Sequence, residues 1–324
     1  MTPDQFSAAF SRRPSSAVTR LGARQLLLLS LGDLLHAAAA EGAMLVALVA
    51  PAASALLGFA RAARDAGAPL ILVRPSGCLG EKSPEEARDD AAFVEAAFRA
   101  AEEVGFRGPM ALLKDPPPPN AAQSDADRVS QEIDAGFTGL SLCAAPGEIP
   151  ASAAEAGKAA SALELGLELV PASGNADDAA ALVATLRARG ARPSTVRLTG
   201  FESHARGLHD KLGATLVSSA ADGDLEPLLR FGVAQLVSSA PFLRALKRSA
   251  PADLWDKLSA HCKERNASIE QAASRHQRQI RDLPQQAQDK LEALASFEAA
   301  ELYARAGAIG TGTRLLARVG EMKA

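Results

Sequence analysis

Lys114 and Asp115 are the two side chains whose types and spacing best fit a chemical role in this sequence. They stand together after the apolar run PMALL and directly before four prolines, in KDPPPPN. A desolvated lysine that loses its proton can form a Schiff base with a carbonyl group. Four prolines cannot continue a helix or a central strand, because each lacks a backbone N–H. The pair is therefore predicted to begin a rigid loop. The alternatives are a rim lysine paired with a carboxylate and an aspartate that caps a turn.

Cysteines and histidines, the other reactive side chains, are few and scattered. Cys78, Cys143 and Cys262 form no C-x-x-C pair, so the sequence indicates neither a disulfide framework nor a zinc ribbon. His204 and His209 are five residues apart, so they would share a helix face only loosely. Without a predictable third ligand, two exposed histidines are the alternative to a metal site.

The elements that would position these side chains follow a repeated order of helix, glycine and strand. Eight segments of alanine, leucine and charged residues each end at a glycine, and a short run of leucine or β-branched residues follows. Glycine suits the left-handed position that ends a helix, and a continuous apolar run suits a strand buried on both faces. The eight glycines are Gly42, Gly67, Gly105, Gly136, Gly166, Gly190, Gly213 and Gly232.

Helices that alternate with eight buried strands predict an α/β fold, the closed (β/α)8 TIM barrel. A doubly wound open sheet is the alternative, but no G-x-G-x-x-G turn follows the first strand. Residues 42–250 are assigned to the barrel. Residues 1–41 are assigned to an N-terminal arm and a helix, Gly32 to Ala40, that closes the barrel bottom. Residues 251–324 are expected to form a C-terminal helical extension that ends in a flexible tail. Its helices either pack back on the barrel or form a dimer handle.

Charge and composition argue against a nucleic acid or a membrane as partner. The net charge is −3, aromatic residues make up 4 %, and no block of like charges is present, so no phosphate-tracking or base-stacking surface is indicated. Arginines precede the run LLLLSL, in a pattern that resembles a signal peptide. The run is too short for the apolar core of a signal peptide and for a membrane span. We therefore expect a cytoplasmic protein, with secretion as the alternative.

The strand ends, where barrel enzymes carry their chemistry, resemble those of the class II ketose-bisphosphate aldolases, the fructose- and tagatose-bisphosphate enzymes. The similar stretches run from MLVALVAPAASALLGF through GFTGLSLCAAPGEI to GVAQLVSSAPFLRAL and cover most of residues 43–250. KDPPPPN falls on the family's Asp-His turn. It is closer to the GDHLGPN version of the non-catalytic tagatose-bisphosphate aldolase subunit, with Asp115, Pro119 and Asn120 matching. The resemblance places Asp115 at the family's acid/base aspartate.

The same resemblance implies that the family's zinc site is not intact in this chain. In the family, histidines hold the zinc, and a catalytic zinc needs about three protein ligands and an open position. Pro116 and Ser219 stand at two of the histidine positions, and His204 could match the third with a one-residue slip. We therefore expect no zinc cofactor. Cys143 stands where the family has an aspartate, and we interpret it as a small buried filler rather than a nucleophile.

Phosphate-binding positions can also be carried over from the family. Similar enzymes cradle phosphate with a glycine-rich turn after the seventh strand and an Asn/Thr loop after the eighth. Ser219, Gly223, Ser238 and Ser239 occupy those positions here, which leaves a weak candidate site for phosphate. For Ser239 the alternative is an ordinary helix N-cap, because proline follows in the first turn of the predicted helix.

Two functions of different classes follow. The first is a catalytically disabled aldolase-like barrel that acts as a structural or partner subunit, with a protein partner or a second copy bound through the C-terminal helices. The second is a metal-independent aldolase or other lyase that uses Lys114 and Asp115 on a sugar-phosphate ligand. Arg74, Arg197 and Arg206, near the predicted strand ends, could meet an anionic ligand or could equally be solvated charges.

Overall fold

A computed structural model describes residues 3–75, 84–115, 125–144, 151–163, 165–171, 176–198, 215–218, 225, 228 and 233–322 of the chain. Its strands are β1 (Leu27–Leu28), β2 (Leu45–Val49), β3 (Leu70–Arg74), β4 (Pro109–Lys114), β5 (Gly139–Ala144), β6 (Gly166–Pro171), β7 (Thr195–Leu198), β8 (Thr215–Ser218) and β9 (Val233–Ser238). The helices up to the end of the barrel are α1 (Pro3–Ser11), α2 (Ser15–Leu21), α3 (Leu31–Ala40), α4 (Leu56–Ala66), α5 (Pro84–Glu103), α6 (Asp125–Ala135), α7 (Ala151–Ala162), α8 (Ala176–Ala188) and α9 (Ala240–Ser249). The C-terminal region adds α10 (Ala252–Arg265), α11 (Ile269–Arg275), α12 (Gln277–Arg281), α13 (Gln285–Arg305) and α14 (Thr311–Glu321).

Strands β2 to β9 form a closed parallel barrel. Each pairs with the next along the chain, β9 returns to pair with β2, and the short β1 adds to β4. The predicted (β/α)8 TIM barrel is therefore confirmed, with a helical region after it. All eight predicted strands are present, because strands covered on both faces must be nearly continuous apolar runs.

The apolar side chains of the strands alternate between two cores. On β2, Val46 and Leu48 point outward and pack under the surrounding helices, whereas Leu45, Ala47 and Val49 point into the barrel. Directly paired residues of neighbouring strands share a face, so this alternation and the strand register orient the inner face of each strand.

Glycines end most of the described helices that precede strands. Gly42, Gly67, Gly105, Gly136 and Gly190 have φ between 59° and 104°, which is the left-handed region that glycine adopts without strain. Gly213 and Gly232 lie outside the described residues. The assignment of Gly166 to this role is wrong, because it is the first residue of β6. A Cβ atom at Gly166 would lie 2.5 Å from the backbone nitrogen of Gly32, so close packing requires glycine there.

Helix α3 lies across the N-terminal ends of the strands, at the barrel bottom. Ser30 caps the helix by accepting a hydrogen bond from the Gly32 N–H at 3.2 Å, and the Leu31 N–H donates to the Thr138 carbonyl oxygen before β5 at 3.1 Å. Leucines of α3 join the inner core of the barrel, and α1 and α14 pack against each other beside it. The expected closing helix is therefore present, and β1 comes from the LLLLSL run.

In the C-terminal region, α13 packs back on the barrel. It lies against α4 and α9, and Leu291, Ala295 and Leu302 are buried in that contact. Glu298 interrupts the apolar stripe and is buried as well. Its carboxylate accepts hydrogen bonds from Arg244 at 2.5 Å and Arg248 at 3.1 Å, both on α9.

The flexible tail expected after Ala306 is wrong for residues 311–321. They form α14, and Leu315, Leu316 and Val319 of this helix are buried in the inner core at the barrel bottom. Apolar residues spaced by one and four positions make one helical face. Across the described part of the chain, helices of the length and hydropathy that a membrane span requires are absent.

Candidate functional site

The mouth of the barrel is formed by the C-terminal ends of its strands, and the backbone there brings Lys114 beside Arg74. These two residues are directly paired at the ends of β4 and β3. The pairing continues one residue further, because the Asp115 N–H donates to the Arg74 carbonyl oxygen at 2.9 Å. The backbone of Lys114 and Asp115 therefore lies at the C-terminal end of β4, and the side chain of Lys114 faces the surrounding helices because that of Leu113 faces the barrel interior. The prolines that follow lie outside the described residues.

Lys114 is buried and paired with carboxylates. Its Nζ donates to Oδ2 of Asp90 on α5 at 3.0 Å and lies 4.0 Å from Oε1 of Glu132 on α6. Arg74 contacts the other oxygen of Asp90. Opposite charges at these distances stabilise the ammonium ion, whereas attack on a carbonyl group needs the neutral amine. Lys114 is thus paired with a carboxylate, as the alternative interpretation has it, although it is buried and not on an exposed rim.

Asp115 shares Arg197 with a second carboxylate. Arg197, on β7, donates from Nη1 to Asp115 Oδ1 and from Nη2 to Glu168 Oε2, both at 2.5 Å. Burial lowers the pKa of Arg197, but the charges of Glu168 and Asp115 outweigh it and raise the pKa above its ordinary value. The guanidinium is therefore a permanent cation that holds the Asp115 carboxylate at the mouth.

Arg128 and Ser141 connect these two groups of charges. Arg128 donates to Glu132 at 2.6 Å, one turn further along α6, and to the Ser141 carbonyl oxygen on β5 at 2.9 Å. The Ser141 hydroxyl then donates to Glu168 Oε2 at 2.8 Å. A continuous set of ion pairs and hydrogen bonds thus runs along the barrel wall at the C-terminal ends of the strands, from β3 to β7.

We call this set the mouth network. Among the described residues it contains four cations and four carboxylates, which are Arg74, Lys114, Arg128, Arg197, Asp90, Asp115, Glu132 and Glu168. All are buried except Asp115, whose side chain is 25 % exposed. The four positive and four negative charges of the mouth network therefore balance.

Sequence reasoning missed Asp90, Arg128, Glu132 and Glu168. Glu168 carries a usable signal, since a charged residue inside the apolar run LELV must face a partner in the barrel. Arg128 and Glu132 stand four residues apart on a helix, which is the spacing of an ion pair. Asp90 carries no such signal, because it is one of several acidic residues in α5.

The serines at the end of β9, Ser238 and Ser239, are hydrogen-bonded to other groups of the protein. Ser238 Oγ accepts a hydrogen bond from the Ala240 N–H at 3.3 Å. Ser239 Oγ donates to Glu270 of α11 at 2.5 Å. Ser239 holds the N-cap position of α9, but its side chain makes no cap bond, so its predicted capping role is wrong in detail. The first-turn proline is present as expected. The Ser239 hydroxyl, a candidate for phosphate binding, therefore already donates its hydrogen bond to a carboxylate of the C-terminal region.

Several other candidates lie outside the described residues, namely Ser219, Gly223, His204, His209 and Arg206. Cys143 is half-buried on β5, so the expectation of a small buried filler is wrong. Arg74 and Arg197 are not solvated charges, because both are buried and paired with carboxylates.

The positions matched to the zinc ligands of the resembling family, Pro116, His204 and Ser219, lie outside the described residues. A catalytic zinc takes about three nitrogen, oxygen or sulfur ligands, and no group of three such side chains able to hold a metal occurs within the described ranges. The carboxylates of the mouth network are bonded to arginine or lysine. A metal would have to compete with those cations for them.

Comparisons with known proteins support the fold. No protein-family model and no curated protein matches the sequence. Among solved structures, the chain is similar to the YdjI aldolase from Escherichia coli K12, with a TM-score of 0.58, 15 % identity, and coverage of 88 % of this chain and 99 % of that chain. It is also similar to a putative fructose-1,6-biphosphate aldolase from Coccidioides immitis, with a TM-score of 0.58, 14 % identity, and coverage of 91 % and 99 %. Fructose-bisphosphate aldolase from Campylobacter jejuni gives a TM-score of 0.60, 14 % identity, and coverage of 87 % and 96 %. At these identities the comparisons establish an aldolase-like barrel fold.

Proposed function

We propose that this chain is an aldolase-like barrel without aldolase activity of its own, which serves as a structural or partner subunit. The observation that carries the proposal is the mouth network. Lys114 and Asp115, the two side chains best suited to aldol chemistry, are each bonded to an oppositely charged group at 3.0 Å or less. A group bound in this way has lost much of its capacity to act as a nucleophile or to exchange protons with a substrate.

Two further observations support the proposal. Glu270 accepts the hydrogen bond of the Ser239 hydroxyl, and its negative charge at that point repels a phosphate group. Pro116 and Ser219 stand where the resembling family has histidines, so the zinc-dependent mechanism of that family lacks part of its ligand set.

A direct test is to assay the cleavage of fructose and tagatose bisphosphates, with the protein as purified and after addition of zinc. We expect no cleavage above the rate without enzyme in either condition. Cleavage that depends on added zinc would contradict the proposal and would indicate a metal site that includes residues outside the described ranges, such as His204.

One observation favours a metal-independent lyase as a second candidate. Asp115 retains 25 % side-chain exposure, so a substrate carbonyl group could approach its carboxylate, and Lys114 could join it only if its side chain left Asp90. Borohydride trapping with dihydroxyacetone phosphate separates the candidates, because reduction makes a Schiff base permanent. We expect no adduct. The controls are Lys114→Met and Lys158→Met. Lys158 is an exposed lysine on α7 paired with Glu155. An adduct lost only in Lys114→Met would establish the lyase.

The subunit role has its own test. Phe297 on α13 is 55 % exposed while the opposite face of that helix packs on the barrel, so α13 can contribute an apolar contact to a second copy. Sedimentation velocity is expected to give a mass above the 33.5 kDa of one chain, and Phe297→Arg is expected to lower it. A mass of one chain at all concentrations would contradict self-association.

A further inference from the structure

The interior of the barrel has an apolar half, lined by β2 to β4, and a second half in which polar side chains lie beside apolar ones such as Val217 and Val237. We call the second half the polar half. The inward side chains of β2, β3 and β4 are all apolar and include Leu45, Ala47, Val49, Ile71, Val73, Ala111 and Leu113. The inward faces of β5, β6, β7 and β9 carry Ser141, Glu168, Thr195, Arg197 and Gln235. The strand register fixes these orientations: Gln235 is paired with Leu45 and with Val217, Arg197 is paired with Val217, and Glu168 is paired with Ser141 and Thr195.

Polar atoms of this half have no protein partner within the described part of the chain. They are Oε1 of Glu168, Oγ1 of Thr195, Nε of Arg197, and both the oxygen and the nitrogen of the Gln235 amide. Each of these four residues is at most 6 % exposed. Buried polar atoms in proteins are nearly always hydrogen-bonded, since a buried group without a partner costs its full desolvation free energy. Five such atoms on β6, β7 and β9 indicate that a molecule or ion binds between these strands.

The chemistry of these atoms indicates which species binds. A cation needs acceptors, but Arg197 Nε and the Gln235 nitrogen are donors. An anion needs donors, but Glu168 Oε1 and the Gln235 oxygen are acceptors. Water both donates and accepts, and buried waters typically make about three hydrogen bonds to otherwise unpaired groups.

We propose that the polar half of the barrel interior binds ordered water molecules that bridge Gln235, Thr195, Glu168 and Arg197. The waters donate hydrogen bonds to Oε1 of Glu168. The other oxygen, Oε2, accepts hydrogen bonds from Ser141 and Arg197. They also connect the interior to the mouth network, because Arg197 extends to Asp115. The barrel thus contains a built-in internal hydration site.

Oxygen-17 magnetic relaxation dispersion of water tests this proposal on the full chain, because it measures water molecules held inside a protein for long times. The variants are Thr195→Val and Gln235→Leu, each of which removes polar atoms with little change in shape. The matched control is Thr138→Val. Thr138 is also fully buried, but its hydroxyl accepts a hydrogen bond from the Leu112 N–H at 3.2 Å. We expect the dispersion amplitude to fall in each of the first two variants and to stay unchanged in Thr138→Val. Equal amplitudes in all four proteins would overturn the proposal.

The urea concentration at the midpoint of unfolding is a second measurement. Thr195→Val shifts it in opposite directions for a hydrated and a dry interior. If Thr195 bonds to water, Thr195→Val removes a satisfied hydroxyl and lowers the midpoint. If the interior is dry, the same change removes an unpaired polar atom and raises the midpoint. A crystal structure of the unaltered chain at a resolution that shows water decides the question without any variant. Water between Glu168 and Gln235 would confirm the site, and continuous apolar packing there would reject it.

Discussion

Asp90, on α5, is the residue of the mouth network that pairs with two buried cations at once. Its two carboxylate oxygens contact Arg74 and Lys114, and the three side chains are between 4 % and 8 % exposed. A buried ion pair adds little net stability compared with an apolar replacement, but removal of one partner leaves a charge in a region of low dielectric constant. Single changes in the mouth network are therefore expected to be much more harmful than changes of exposed pairs.

Replacing Asp90 by alanine is expected to lower the free energy of unfolding by about 3 kcal/mol. The physical reason is that Arg74 and Lys114 remain buried and charged after their shared carboxylate has gone. Guanidinium unfolding followed by circular dichroism measures the change. Asp65→Ala is the control, since Asp65 pairs with Arg64 on the surface, and its loss is expected to cost about 0.5 kcal/mol or less. Equal effects of the two variants would contradict the buried network.

Tyr303 gives a pH prediction, because it is the chain's one tyrosine. It is fully buried, and burial raises the pKa of its phenol well above the ordinary value. Its hydroxyl donates to the Pro69 carbonyl oxygen at 3.3 Å. Above pH ~10 the unfolded chain loses this proton and the folded chain keeps it, so the folded state binds more protons and its stability falls as pH rises.

We expect tyrosinate absorbance to appear only together with the loss of circular dichroism when the native protein is titrated to alkaline pH. In denaturant the same absorbance is expected to appear at about pH 10. Tyr303→Phe removes the signal and reduces the slope of stability against pH by up to about 1.4 kcal/mol per pH unit. Tyrosinate formation near pH 10 in a chain that remains folded would show that the phenol is accessible to solvent.

Of these residues, sequence reasoning could find Lys114, Asp115 and the two strand arginines, because the ends of apolar runs mark the mouth of a barrel. It could not find Asp90. The position of Asp90 depends on the rotation of α5 about its axis against β3 and β4, and several acidic residues of that helix fit the pattern equally well.

Helix α13 is the element that ties the C-terminal region to the barrel. Its contact with α4 is close because Gly58 has no side chain. A Cβ atom at Gly58 would lie 2.4 Å from the Glu292 carbonyl oxygen and 3.0 Å from the Ser296 nitrogen, both backbone atoms of α13. The two helices therefore cannot keep their present separation if position 58 carries a larger residue.

Gly58→Ala is expected to destabilise the protein by about 1–3 kcal/mol, because one added carbon forces the two backbones apart. The sign of the stability change on Gly58→Ala shows whether the two helices are in close contact. In a helix without this contact the same change stabilises by about 1 kcal/mol, since alanine has a much higher helix propensity than glycine. Thermal unfolding measures the effect, and a raised melting temperature would contradict the close packing of α4 and α13.

The strands of the barrel can be predicted from the sequence, but the packing role of Gly166 and the last helix cannot be predicted as easily. Buried parallel strands must be apolar throughout, and glycine ends the helices before them, so both signals are local in the sequence. Gly166 has the same local signal but serves a long-range contact with Gly32, which no local pattern reveals. The last helix was missed because glycines and a threonine at its start resemble a loop, although its apolar spacing was available in the sequence.

At the scale of the whole molecule, α14 is part of the barrel bottom and not an appendage. Leu315, Leu316 and Val319 lie in the same inner core as the leucines of α3. The Gly312 N–H donates to the Gly67 carbonyl oxygen at 2.8 Å, which fixes the start of the helix against the end of α4. The core of the barrel therefore depends on residues far apart in the sequence.

Truncation after Gly310 is expected to destabilise the chain and to expose apolar surface. Each buried leucine or valine contributes about 1.5–3 kcal/mol when it leaves water, so loss of the helix removes several kcal/mol. Chemical unfolding and binding of the dye ANS measure the two effects. Leu316→Ala in the full chain is the milder comparison and is expected to cost about 2–5 kcal/mol. If the truncated chain were as stable as the full one, α14 would be peripheral.

The equal numbers of opposite charges in the mouth network have an evolutionary consequence. A lineage that replaces Asp90 by a neutral residue keeps the Arg74 guanidinium and the Lys114 ammonium group buried close together, where they repel each other. The tolerated route is a concerted change, in which Arg74 or Lys114 becomes apolar at nearly the same time. Relatives of this chain should therefore keep these positions together or exchange them together, and the same should hold for Arg197 with Asp115 and Glu168.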